Sequence, residues 1–113
     1  MKLKNRTAVI TGAASGIGRA IAVSLARRGC NLALADVNDA GLSETALMAQ
    51  SAQTDPTNHA ASKNSIRITQ HHLDVADRRA VAVVPEEIMA AHHGVDILVN
   101  NAGVAIEIGR AHV

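Results

Sequence analysis

Apolar residues along the chain come in alternating short blocks and helical stretches. Thr7-Ala8-Val9-Ile10 is an apolar run that reads as a buried strand. After it, Ile17, Ile21 and Leu25 recur at helical spacing with Ala20, Ala22 and Ala26 between them, predicting a helix over 16–28. Gly29 is placed to end that helix, and Arg27 and Arg28 suit its negative end. Asn31-Leu32-Ala33-Leu34-Ala35 predicts a second strand ending at Asp36. Asn38 or Asp39 can cap a second helix, which carries Leu42, Ala46, Leu47 and Ala49 and fades near Gln53.

Residues 54–64 are polar, lack apolar periodicity and read as a long exposed loop, with His59 on it. Ser65-Ile66-Arg67-Ile68-Thr69-Gln70-His71 then alternates, as expected of a strand with one wet face at a sheet edge. Asp77 can cap a third helix with Val81, Val84 and Ile88 on its apolar face. Pro85 predicts a kink or a fresh helical turn, and Gly94 a helix end. Val95 to Val99 is the fourth strand, and Asn100-Asn101-Ala102-Gly103 the turn after it. Strands alternating with helices predict an α/β fold: a Rossmann-type doubly wound parallel sheet in the order 3-2-1-4, ending at its fourth strand.

The candidate chemistry lies where the first strand feeds the first helix, at Thr11-Gly12-Ala13-Ala14-Ser15-Gly16-Ile17-Gly18. Glycines let the chain bend tightly and keep Cβ atoms away from a bound phosphate. A helix N-terminus adds N–H donors and a positive dipole end. The spacing Gly-x-x-x-Gly-x-Gly differs from the common Gly-x-Gly-x-x-Gly, but its setting between strand and helix is right. Asp36 follows 18 residues after Gly18, where a dinucleotide site places an acid for the ribose.

The 113 residues suffice for one domain, and a net charge of +1 gives no reason to propose nucleic acid or membrane as partner. Cys30 alone can form no internal disulfide. The start of the chain shows no export segment, and no apolar run could cross a bilayer, so a cytoplasmic setting is expected. The pairs His71-His72 and His92-His93 lack a completing ligand at metal-site spacing. No metal is expected, and these histidines are expected to be solvated.

Thr11-Gly12-x-x-x-Gly16-x-Gly18, Asp36, Leu73-Asp74-Val75 and Asn100-Asn101-Ala102-Gly103 stand in an order that resembles the short-chain dehydrogenases/reductases, from about Leu3 to about Ala105. That resemblance implies an oxidoreductase moving hydride between a nicotinamide cofactor and an alcohol/ketone substrate. Gly12, Ser15, Gly16, Ile17 and Gly18 would lie along the cofactor pyrophosphate and adjoining ribose. Asp36 would bind the adenosine ribose, Asp74 the adenine amino group, and Val75 the adenine ring. Asp74 also reads as a turn or capping residue. Asn100 would approach the cofactor through its backbone, and Asn101 would tie the fourth strand to its neighbour. A carboxylate at Asp36 repels a 2′-phosphate. Ser15 and Val37 stand where NADP-preferring relatives tend to carry basic residues, so NAD is expected over NADP; Arg19 is the nearby cation that bears on this choice.

The resemblance also implies catalysis by serine, tyrosine and lysine downstream of the Asn-Asn-Ala-Gly turn. The chain has no tyrosine and runs ten residues past Gly103. It is expected to be the N-terminal part of such an enzyme, catalytically inactive by itself, with the complete protein a homo-oligomer. The alternative is a stand-alone dinucleotide-binding or regulatory module. Residues 1–106 are expected to be genuine domain sequence. Residues 107–113 are expected to be a non-native tail, because their reverse translation to GAG ATC GGA AGA GCA CAC GTC resembles a common sequencing-library adapter.

Overall fold

The computed structural model describes residues 2–53 and 66–101. The expected loop over 54–64 with His59, the Ala102-Gly103 part of the last turn, and the tail over 107–113 lie outside the described residues.

The elements in chain order are β1 (Thr7–Thr11), α1 (Gly16–Arg27), β2 (Asn31–Asp36), α2 (Asp39–Gln53), β3 (Ile68–His72), α3 (Arg78–Ala91) and β4 (Ile97–Asn100). The strands form one sheet in the order β3-β2-β1-β4. Every pairing is parallel, with Thr7 opposite Asn31, Ala8 opposite Ile97 and Leu32 opposite Ile68. Fold class, strand order and the edge position of β3 are therefore as the sequence predicts.

The core is uneven across the sheet. Ala8, Ile10, Leu32 and Leu34 pack with Ala22, Ala26, Leu42 and Ala49 under α1 and α2. On the opposite face, among the described residues, Val9 and Ala33 cluster with Ile88 and Val84 of α3. Beside α3 an open groove of about 890 Å³ runs over Val9, Thr11, Val81, Pro85 and Leu98.

Close approach of α2 to the glycine turn depends on a residue to which the sequence pattern gives no weight. A Cβ on Gly41 would stand 2.7 Å from the Ala14 Cβ and 2.8 Å from the Ala14 carbonyl oxygen. Asn38 caps α2, its Oδ1 accepting from the Gly41 N–H at 3.0 Å. Gly29, at φ +86°, follows the end of α1, where its N–H donates to the Ala26 carbonyl at 3.0 Å.

Several local expectations are corrected. Leu47 is 68% exposed, so α2 presents Leu42, Thr45 and Ala49 to the core instead. Of the two readings of Pro85, the fresh helical turn is overturned, since α3 runs through it as one helix. It ends with His92 in extended conformation as its C-cap, ahead of Gly94. β4 begins at Ile97, because the Asp96 carboxylate accepts from the Thr7 N–H at 2.9 Å. β3 begins at Ile68, since the Arg67 N–H bonds the Asn31 side chain at 2.8 Å and the ladder starts beyond it.

The wet face expected of β3 is, among the described residues, wet only at Arg67. Thr69 and His71 lie beneath α3, and His71 is 3% exposed. The Thr69 hydroxyl stands 2.7 Å from His71 Nε2 and 2.8 Å from His92 Nε2, and His71 Nδ1 pairs with Glu87 at 2.6 Å. Toward its end the polar side of the alternation is thus covered, with Thr69 and His71 hydrogen-bonded internally, while Arg67 stays exposed. The solvated reading holds for His72 and His93, which are exposed, and fails for His71 and His92.

Candidate dinucleotide site

The C-terminal ends of the parallel strands bring Thr11, Asp36, Leu73 to Val75 and Asn100 to one end of the sheet. Strand order reverses between β1 and β4 at that end, where open α/β sheets leave a crevice.

The glycine turn is built for close approach. Gly12 has φ +66° and Gly16 φ +58°, left-handed conformations that disfavour a side chain. A Cβ on Gly18 would stand 2.1 Å from the Gly12 carbonyl oxygen and 3.0 Å from Asn101 Nδ2. Gly18 is therefore set by the packing of α1 on the end of β1. Gly16 differs, since a Cβ there would meet nothing within 4 Å. The space in front of Gly16 is open to a ligand.

Ser15 is the N-cap of α1 in extended conformation, and its side chain makes no capping hydrogen bond. The amides of Gly16, Ile17 and Gly18 have no carbonyl a turn earlier within the helix. Ile17 is 71% exposed at this mouth. An exposed helix N-terminus beside Gly16, which leaves room, fits a pyrophosphate in both donors and space.

Asp36 is half-buried at the end of β2. Its Oδ2 accepts from the Ala14 N–H at 3.0 Å, and its Oδ1 accepts from the Asn38 N–H at 3.2 Å. Those bonds fix the carboxylate and leave each oxygen further acceptor capacity for ribose hydroxyls. A cleft of about 140 Å³ brings Thr11, Gly12, Asp36, Val37, Asp74 and Val75 together. Asp74 also takes the turn role, with its Oδ1 accepting from the Ala76 N–H at 2.9 Å. Asn101 Nδ2 donates to the Gly12 carbonyl at 3.3 Å, tying the chain after β4 to the glycine turn. Thr11 Oγ1 donates to the Val99 carbonyl at 3.3 Å and stands as far from Asn100 Oδ1, joining the ends of β1 and β4.

Arg19, in the second turn of α1, is engaged away from the mouth. Its Nη2 donates to the Ala14 carbonyl at 2.6 Å and the Gly41 carbonyl at 3.2 Å, and its Nε donates to Thr45 Oγ1 at 2.9 Å. Glu44 stands 3.7 Å from the guanidinium. The sequence pattern did not single out Thr45 or Gly41. Their roles depend on how α2 crosses the glycine turn, which no local spacing encodes.

Among the described residues no group of three or more His, Cys, Asp or Glu could hold a metal ion, and no helix is long and apolar enough to cross a membrane. Cys30 is a buried free thiol whose pKa is raised by burial and, secondarily, by the charge of Asp96.

Comparison with known proteins shows the family and the fold. The short chain dehydrogenase family model matches residues 6–112. The uncharacterized oxidoreductase YxbG of Bacillus subtilis is 39% identical over 111 residues, covering 98% of this chain and 36% of that protein. L-sorbose reductase of Gluconobacter frateurii, solved with NADPH and L-sorbose, is 34% identical at a TM-score of 0.72, covering 91% of this chain and 36% of that one. A short chain dehydrogenase/reductase of Burkholderia phymatum, solved with NAD, is 28% identical at a TM-score of 0.68, covering 87% of this chain and 31% of that one. The chain belongs to the short-chain dehydrogenase/reductase family. It spans about a third of the length of the relatives it matches.

Proposed function

We propose that the chain is the N-terminal, cofactor-binding part of an NAD-dependent oxidoreductase. When bound, the nicotinamide ring would exchange hydride with an alcohol/ketone substrate. Gly12, Ser15, Gly16, Ile17 and Gly18 hold the pyrophosphate and adjoining ribose, Asp36 the adenosine ribose, Asp74 and Val75 the adenine, and Asn100 flanks the cofactor through its backbone. The observation that carries this reading is the Asp36 carboxylate, fixed by the Ala14 and Asn38 amides at the rim of the cleft that also holds Asp74 and Val75.

Preference for NAD over NADP rests on charge. Asp36 would repel a 2′-phosphate, and Val37 beside it is neutral and 52% exposed. The Arg19 guanidinium is occupied by backbone carbonyls, Thr45 and Glu44. Titration of the chain with each cofactor tests this. NAD should bind more tightly by at least about tenfold, the effect of an unfavourable charge pair at short range. Tighter NADP binding overturns the preference, and binding of neither overturns the site.

The 113-residue chain contains no tyrosine to serve as the family's acid/base, so it is proposed to turn over no alcohol by itself. The substrate would be a small alcohol or ketone, and the complete protein a cytoplasmic homo-oligomer. Residues 107–113 are proposed to be adapter-derived, which genomic sequence across codon 106 checks; the family model's match extends across this stretch to residue 112.

A further inference from the structure

We infer that Arg19 and Thr45 are positioning residues that aim the glycine turn at the dinucleotide, each governing a different part of the ligand. The inference rests on the proposed dinucleotide site and adds residues of α1 and α2 that lie behind it.

The argument starts from the planar trans peptide, in which C=O and the following N–H point in opposite directions. Thr45 Oγ1 donates to the Ala13 carbonyl at 2.7 Å, and the N–H of the same peptide, on Ala14, meets Asp36 Oδ2 at 3.0 Å. One plane is thus held from both sides, by a residue of α2 behind and by the ribose-binding carboxylate in front. The next plane is held from behind only. The Ala14 carbonyl accepts from Arg19 Nη2 at 2.6 Å, which turns the Ser15 N–H away from α2. Among the described residues that N–H has no hydrogen-bond partner. It precedes the amides of Gly16, Ile17 and Gly18 at the open mouth and adds one oriented donor to them.

The clamp is itself well fixed. Thr45 is fully buried and its hydroxyl accepts from Arg19 Nε while donating to Ala13, which uses both roles of the group. Arg19 also bonds the Gly41 carbonyl, at the point where the missing Cβ of Gly41 lets α2 reach Ala14. A charged donor on a half-buried carbonyl is stronger than a neutral one, which suits a residue that holds a peptide plane in one orientation. Arg19 therefore acts on the phosphate-facing Ser15 plane, and Thr45 on the ribose-facing Ala14–Asp36 plane.

The test is calorimetric titration of the full chain and its variants with NAD, NADP and adenosine, the last carrying no phosphate. Arg19→Met is expected to weaken NAD and NADP alike by about tenfold while adenosine binding stays within about twofold. Thr45→Val, nearly isosteric, is expected to weaken adenosine as well, and Thr45→Ser to restore it. A loss confined to NADP in Arg19→Met would make Arg19 a 2′-phosphate receptor and overturn the inference. So would an equal loss for adenosine, which marks a general structural role, or no loss at all. If Arg19→Met does not fold, Arg19→Lys, which keeps one donor for Ala14, should give the same pattern at smaller amplitude, and adenosine loss there counts against it. No binding of NAD or NADP by the unsubstituted chain overturns the dinucleotide reading itself and this inference with it.

Discussion

At the residue scale, the glycines of the turn look equivalent in sequence and are not equivalent in structure. Gly18 is required by a neighbour, since its Cβ would overlap the Gly12 carbonyl. Gly16 is required by its backbone, at φ +58°, with open space where a side chain would go. The consequences of substitution should separate. Gly18→Ala forces α1 off the end of β1 and should cost about 1–3 kcal/mol or more, with loss of dinucleotide binding. Gly16→Ala should cost about 1–2 kcal/mol from left-handed strain and place a methyl in the open space proposed for the ligand. Urea denaturation of both variants measures the order; a larger loss for Gly16→Ala would contradict it. Asp36 and the glycines were legible because local spacing dictates them. Gly41 and Thr45 were not, because each answers to a residue brought near only when α2 crosses the turn; Arg19 was legible as a nearby cation, but its partners on α2 were not.

At the element scale, the period of the apolar pattern located the strands and helices but not what covers each face. The alternation in β3 reads as one dry and one wet side. The order of the sheet brings α3 over the second side, and Thr69, His71, His92 and Glu87 satisfy one another there. Pattern alone cannot distinguish a solvated polar face from one buried with internal partners. Within this interface His92 should make folding depend on pH. Burial, with the nearby charges of His71, Arg67 and His93, holds His92 below its ordinary value of 6.5. Its folded pKa is depressed, so just below 6.5 the unfolded chain binds more protons. His92 therefore favours folding above 6.5, and that contribution falls as pH drops toward its folded value. His72 has the opposite sign: its hydrogen bond to Asp39 raises its pKa, so it stabilises in acid and loses this as pH rises. That pair is exposed and screened, so its effect is small and His92 sets the slope. Denaturation midpoints between about pH 5 and 8 should fall toward acid, and His92→Gln should flatten the curve. A midpoint that rises toward acid would sink this account.

For the molecule as a whole, the sheet is covered well on one face and poorly on the other. α1 and α2 bury Ala8, Ile10, Leu32 and Leu34 completely. Across the sheet, Leu98 remains 67% exposed beside Val81 at 43%, Met89 at 51% and Val95 at 43%, along the rim of the groove next to α3. Among the described residues β4 pairs with β1 alone, so its other side carries an unpaired edge next to this apolar surface. The chain spans about a third of the relatives it matches, which fits a sheet with one face still open. An apolar edge of this kind recruits other chains. The 113-residue chain should therefore self-associate at micromolar concentration. Because Leu98 contributes little buried area, Leu98→Lys should change folding stability by no more than about 0.5 kcal/mol while adding an edge charge that opposes association. Light scattering and sedimentation of the two chains, alongside their denaturation curves, separate the effects. Equal association with and without Leu98 would place the sticky surface elsewhere, and a monomeric unsubstituted chain would show that this face does not recruit a partner at all.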